Sequence, residues 1–278
     1  MQGRTSLVTG ANRGIGFAIA HGLAAQGARV ILVVRDENAG NAAAEEIRRV
    51  TENDAVDVLV ADLSSQASIR EVAEQVLTRY RRLHVLVNNA GVITRRRSLT
   101  VDGIETQFAV NHLSYFLLTS LLLPRLRASA PARIVVMASD AHWTHELDFE
   151  DLQLSRGWRP VRAYSQSKLA NVLFAYELAR RLSGTGVTVN CAHPGGVATK
   201  LLASAFPLPA ITTPLVYRFA ASPARGAETP LWLATAPELE EVTGKYFVRW
   251  KAVPSSAATY DLFAARQLWE ESERLTGL

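Results

Sequence analysis

The chain has 278 residues, 48% of them apolar and 20% charged, with a formal net charge of +4. It can bury a large core, which excludes an intrinsically disordered protein, and its mild positive charge permits an anionic ligand without demanding nucleic acid. One cysteine excludes a disulfide framework and a four-cysteine zinc site, and the six histidines show neither H-x-x-x-H nor H-E-x-x-H spacing, so no metal is expected.

In chain order, the apolar periodicity alternates strand and helix. Thr5 to Thr9 reads as a short buried strand, and Ile15 to Gln26 as a helix with Ile15, Ile19 and Leu23 on one face. Val30 to Val34 is a wholly apolar strand and Asn38 to Val50 an Ala/Glu-rich helix. Val56 to Ala61 is a strand, Ser68 to Tyr80 a helix and Val85 to Val87 a strand. The basic run Arg95-Arg96-Arg97 has no aromatic partners and reads as a solvated loop. A long helix from about Val101 to Arg127 contains the longest apolar stretch, Phe116 to Leu123, which is too short to span a bilayer. Strand Arg133 to Met137, an irregular stretch Asp140 to Arg162, a helix over 163 to 182 and strand Val187 to Cys191 follow, with Cys191 a small core residue. A second irregular stretch, Gly195 to Ser222, holds Pro207, Pro209 and Pro214, which disfavour one long helix there.

Continuous apolar strands separated by helices predict a doubly wound parallel sheet covered by helices on both faces. No Gly-, Pro- or Ser-rich break divides this rhythm, so we expect one α/β domain over residues 1–278. The chain begins almost directly with a strand, so neither a signal peptide nor a membrane anchor is expected and the protein should be cytoplasmic. Both irregular stretches follow strand C-termini, where such a sheet binds its ligand. Residues 193–225 are therefore expected to form a substrate lid over a cofactor-binding core of residues 1–192.

After the first strand comes TGANRGIG, residues 9 to 16. Gly10, Gly14 and Gly16 can take angles closed to other residues and let the backbone approach a pyrophosphate, with Asn12 and Arg13 in the same turn. Ile15 opens the helix whose N-terminal amides would hold that anion. The second strand ends Val34-Arg35-Asp36 rather than on an acidic residue alone. Arg35 and Arg13 suit the 2′-phosphate of NADP(H), whereas Asp36 leaves open a ribose diol and NAD(H). NADP(H) is the preferred expectation.

The helix over 163 to 182 crowds Tyr164, Ser167 and Lys168 into its first turn. Tyr164 and Lys168 are four apart and share a face, and an ammonium beside a phenol favours the phenolate. With the glycine turn, ADLSS at 61–65, NNAG at 88–91 and Y-x-x-x-K in this order, the chain resembles the short-chain dehydrogenase/reductase superfamily. VNHLSYFLLT at 110–119, ASDAHW at 138–143, YSQSKLANVLF at 164–174 and HPGGVATKL at 193–201 are similar to its retinol-dehydrogenase-like group.

That resemblance implies a Rossmann-like fold and an NADP(H)-dependent oxidoreductase interconverting a lipophilic alcohol and its ketone or aldehyde. It implies Tyr164 as general acid/base, Lys168 lowering the tyrosine pKa and binding the nicotinamide ribose, Ser139 bonding the substrate oxygen, and Asn111 supporting a proton relay. Asp62 and Leu63 would flank the adenine, and Asn89, Ala90 and Gly91 would line the cofactor cleft. Pro194, Gly195, Val197 and Thr199 would hold the nicotinamide end. Trp143, Phe206, Leu208, Ile211 and Phe219 are apolar residues of the irregular stretches and candidate substrate contacts. His142 and His145 lie near the same mouth, as substrate contacts or as supporting loop residues. Pairing into a homodimer or homotetramer would use the helices over 101–127 and 163–182. Two further readings are a tailoring enzyme for a polyketide, steroid or terpenoid, and an NADP(H)-sensing binding protein without turnover. The presence together of Asn111, Ser139, Tyr164 and Lys168 argues against a sensor.

Overall fold

Strands of three to seven residues build the centre of the computed structural model, which describes residues 1–195 and 222–278. They are β1 (Thr5–Thr9), β2 (Arg29–Val34), β3 (Val56–Val60), β4 (Val85–Asn88), β5 (Ala132–Met137), β6 (Val187–His193), β7 (Lys245–Val248) and β8 (Lys251–Val253). The sheet order is β3-β2-β1-β4-β5-β6-β7-β8, parallel throughout except for the terminal hairpin to β8. The expected single Rossmann-like α/β domain is the fold found.

Alternation along each strand splits the core into two layers. Leu7, Ile31 and Leu86 pack under α3 (Gln66–Arg79), α5 (Ser114–Ala128) and α6 (Pro160–Arg181). Val8, Leu32 and Val87 pack under α1 (Gly14–Ala25), α2 (Glu37–Thr51) and α7 (Pro223–Thr235). Both faces are therefore apolar, as a wholly covered parallel sheet requires.

The long helix expected from Val101 is shorter and interrupted. Asp102 and Gly103 form a tight turn, with Gly103 at φ +72°, and Leu99 bridges Glu105. The helix starts at α4 (Thr106–Phe108), where the Glu105 carboxylate accepts the Phe108 N–H at 2.8 Å. A π-helical turn, Ala109–Leu113, joins it to α5. Helix α6 starts at Pro160 rather than 163, with proline in the position where a missing N–H costs nothing. The basic run is not merely solvated either, since Arg97 donates to the Gln153 and Leu154 carbonyls. Among the described residues no helix is long and apolar enough to cross a membrane.

Helix α8 (Leu262–Thr276) was not anticipated, and it covers the outer face of α5 and α6. Trp269 meets Phe116 edge-on at 4.9 Å and stacks on Phe174 at 6.0 Å, while the Arg181 guanidinium sits 4.0 Å from its ring centroid. Gln66 and Arg70 of α3 bond the carbonyls of Leu275 and Thr276 at the far end. In α6, one of the two helices expected to pair two copies, Ala163 and Ser165 through Ala179 are buried within the chain. Removing the indole should be costly: Trp269→Ala is expected to lower unfolding stability by roughly 3–5 kcal/mol in a urea titration, with its midpoint moved accordingly.

Candidate active site

The C-terminal ends of β1, β4, β5 and β6 lie along one edge of the sheet, and the site is assembled there. Gly10, at φ +66°, turns the chain out of β1 so closely that an added Cβ would lie 3.0 Å from the Ala90 Cα. At Gly16 an added Cβ would meet the Gly10 carbonyl at 2.4 Å and Asn89 Nδ2 at 2.5 Å, so a side chain cannot be accommodated without movement. Gly14, at φ +61°, has nothing within 4 Å of its Cβ position. The turn is packed on its protein side and open on the other. Arg13 precedes α1 without a side-chain cap, leaving the first helical amides for an anion.

Thr9 fastens this turn to the end of β4. Its hydroxyl accepts the N–H groups of Asn89 and Ala90 at 2.9 and 3.0 Å, while Asn89 Nδ2 donates to the Thr9 carbonyl at 2.8 Å. Thr9 is the first letter of the glycine motif, and nothing local in the sequence marks its hydroxyl for this role. Arg13 and Arg35 are both exposed at this edge. The Asp36 carboxylate instead caps α2, accepting the Ala39 N–H at 3.0 Å. Asp62 is likewise engaged, bonding the Ser64 N–H and hydroxyl at 2.9 and 2.8 Å, and Leu63 is buried.

Tyr164, Lys168, Asn111 and Ser139 converge beside the end of β5. Lys168 Nζ donates to the Met137 carbonyl at 3.1 Å and lies 5.6 and 5.7 Å from the ring centroids of Tyr164 and Tyr115. An added Cβ on Gly91 would be 3.4 Å from Asn111 Oδ1 and 3.9 Å from Lys168 Nζ, which places all three together. Asn111 lies in the π-helical turn, and its side chain is spent on protein groups. Its Oδ1 accepts the Val92 N–H at 2.7 Å, and its Nδ2 donates to the Val92 carbonyl and Ser167 Oγ, both at 3.0 Å. Ser167 passes the link on, donating to the Tyr164 carbonyl at 2.7 Å.

Burial governs the charges. It lowers the Lys168 pKa to about 8 and pushes the Tyr164 phenol up to about 12, against a hydrogen bond from Ser139 that pulls the phenol the other way. Burial is the larger influence on the phenol here, and the Lys168 ammonium is engaged with the Met137 carbonyl.

Ser139 is held from behind. His142 is buried rather than open to a substrate: its Nδ1–H donates to the Ser139 carbonyl at 2.7 Å, and its Nε2 accepts the Ser256 N–H at 3.1 Å. His145 is exposed, with Nδ1 2.9 Å from Thr144 Oγ1. Asp140 accepts from Tyr246 Oη at 2.9 Å and His193 Nε2 at 3.1 Å, tying this turn to β6 and β7. Trp143 is 55% exposed beside it. Pro194 and Gly195 follow β6 directly, with Gly195 at φ +78°. Val197, Thr199, Phe206, Leu208, Ile211 and Phe219, and the lid expected around them, lie outside the described residues. Among the described residues no cluster of His, Cys, Asp and Glu could hold a metal ion.

The family profile described as short chain dehydrogenase matches residues 4–208. The chain belongs to the short-chain dehydrogenase family. It is 45% identical to mouse retinol dehydrogenase 12 over 99% of its length and 87% of that protein. Human retinol dehydrogenase 13 is 45% identical over 99% of this chain and 85% of its own. A Mycobacterium paratuberculosis protein of known structure is 37% identical with a TM-score of 0.81, covering 99% of this chain and 94% of its own. A Shigella flexneri short-chain dehydrogenase solved with NADP is 27% identical with a TM-score of 0.73, over 89% of this chain and 97% of its own. As a member of this family the chain is an NAD(P)-dependent oxidoreductase related to retinol dehydrogenases.

The Thr9 hydroxyl offers a direct check on the assembly of this edge. Thr9→Val leaves the Asn89 and Ala90 N–H groups without their acceptor and is expected to cost about 1–3 kcal/mol in a denaturant melt, with Thr9→Ser close to wild type.

Proposed function

We propose that the chain is an NADP(H)-dependent carbonyl reductase and alcohol dehydrogenase acting on a lipophilic alcohol and its aldehyde or ketone. The observation that carries the reading is the convergence of Tyr164, Lys168, Ser139 and Asn111 beside the glycine turn. The turn fits a dinucleotide: Gly14 faces open space, Gly10 and Gly16 bring the backbone close, and the first amides of α1 have no side-chain cap. A bound nicotinamide would supply the hydride and, in its oxidised form, a positive charge.

The protein's own groups do the rest. Ser139 and Tyr164 donate hydrogen bonds to the substrate oxygen, where negative charge grows as the hydride arrives. A phenol held near pH 12 is protonated at neutral pH, which is the form that gives a proton to a carbonyl. Lys168, with a pKa near 8, is largely an ammonium at pH 7 and serves the nicotinamide ribose. Asn111 holds the loop at Val92 and, through Ser167, the backbone of Tyr164.

Exposed Arg13 and Arg35 support the 2′-phosphate, and Asp36 already spends one carboxylate oxygen on capping α2. The Shigella flexneri structure with NADP adds to this. A lipophilic substrate is supported by half-exposed Trp143 beside Ser139 and by kinship with enzymes named for retinol. Phe206 and Leu208 remain proposed substrate contacts, and Val197 and Thr199 proposed cofactor contacts, on sequence grounds.

Tyr164→Phe keeps the ring and removes the transferable proton. Steady-state NADPH oxidation with a panel of aldehydes should fall by on the order of 10²–10⁴-fold while NADPH binding changes little. Near-normal turnover would defeat the reading. For the cofactor, Arg35→Asp should cost NADPH roughly 1.5–3 kcal/mol of binding, followed by fluorescence titration, and cost NADH much less. Equal affinity of the wild type for NADH and NADPH would sink the assignment.

A further inference from the structure

Asn111 and His112 are neighbours in the π-helical turn and both are buried, yet they bond different parts of the molecule. Asn111 bonds Val92 and Ser167. His112 places Nδ1 3.3 Å from Asn171 Oδ1 on α6 and Nε2 3.0 Å from Ser272 Oγ on α8. Asn171 donates from Nδ2 to the Met137 carbonyl at 3.4 Å, the same oxygen that accepts Lys168 Nζ at 3.1 Å. A chain of buried hydrogen bonds thus connects the C-terminal helix with the lysine of the site.

The protons follow from the acceptors. Asn171 spends an amide N–H on Met137, so its Oδ1 faces His112 and requires a proton on Nδ1. Nε2 faces Ser272 Oγ at 3.0 Å, while the Ser272 hydroxyl donates to the Leu268 carbonyl at 2.7 Å. Burial keeps the ring neutral by pushing its pKa down to about 4. Every link is directional, and a ring without a charge can keep this arrangement across the neutral range.

We infer that His112 is a positioning residue for Lys168, acting through Asn171 and the Met137 carbonyl, with Ser272 of α8 as its outer anchor. The inference rests on the acid/base reading of Tyr164 and Lys168. Met137 ends β5, where its pairing with Ala192 of β6 and the Ala138 N–H bond to the Ala192 carbonyl hold the peptide, and one residue beyond the last pairing with β4 its carbonyl oxygen is shared by Lys168 Nζ and Asn171 Nδ2. Lys168 has a long flexible stem, and the acceptor that fixes its ammonium must itself be fixed. Releasing His112 also removes a restraint on the turn that presents Asn111. The titratable groups facing Lys168 are Tyr164 on its own helix, Tyr115 of α5 and Cys191 of β6.

Ser272→Ala and His112→Gln test this in the full chain, with octanal and NADPH as the probe reaction. Ser129→Ala is the control, since its hydroxyl bonds the Leu83 N–H at the opposite edge of the sheet. Small displacements of a catalytic group are costly, so both site variants should lower kcat by about 10-fold or more. The high-pH limb of kcat, where the ammonium is lost, should move to lower pH, because a displaced Nζ keeps its burial cost and loses its acceptor. Ser129→Ala should lower stability and leave that limb in place. If His112→Gln does not fold, Ser272→Ala decides, since it removes a single hydroxyl. A Ser272→Ala enzyme that loses stability yet keeps the wild-type kcat and pH profile overturns the inference. Tyr164→Phe measured alongside separates the two levels: retained turnover there rejects the acid/base reading, whereas lost turnover with an unaltered Ser272→Ala profile rejects the positioning role alone.

Discussion

Parallel pairing of β1 with both β2 and β4 is the constraint on which the rest of the molecule depends. Parallel strands all end at the same edge, so every loop leaving a strand C-terminus is delivered to one crevice. Because the chain runs outward from β1 in both directions, the loops after β1 and β4 leave toward opposite faces and a cleft opens between them. The glycine turn, the Asn89–Gly91 segment, Ser139 and the Pro194–Gly195 step occupy that cleft. None of them needs the others in sequence; the sheet supplies the meeting place.

Holding polar groups there has a physical cost that the fold meets by pairing them. Thr9, Asn111, Ser167, Asn171 and His112 are buried or nearly so, and each has hydrogen-bond partners on another element or across a turn. An unpaired buried polar group costs more than a made bond contributes, so these networks tolerate little displacement. The same burial sets the chemistry. It moves Lys168 toward neutrality and Tyr164 away from ionisation, which keeps the phenol protonated and the lysine responsive to its acceptor.

Helix α8 changes what the outer layer can do. In a sheet of this type the faces of α5 and α6 are amphipathic surfaces that require a cover. Here the cover is part of the same chain: the Trp269 indole fills the groove between Phe116 and Phe174, and Ser272 reaches through to His112. A helix that supplies both apolar area and one buried hydrogen bond couples the outside of the layer to its interior.

Local pattern by itself determined the alternation of strands and helices, the glycine turn and the placement of Tyr164, Ser167 and Lys168 on one helical face, because periodicity and spacing are local properties. Asp36 read as a possible ribose acceptor, and its capping bond to the Ala39 N–H was decided by where α2 begins. The turn at Asp102 and Gly103 was hidden within an apolar rhythm that continued through it. Thr9, His112, Asn171 and Ser272 were invisible as parts of a site, since their partners lie as far as 160 residues away in the chain. The ionisation of Tyr164 also belonged to the tertiary structure: spacing shows that a lysine is near, but burial and the competing carbonyl of Met137 determine how much its charge is felt.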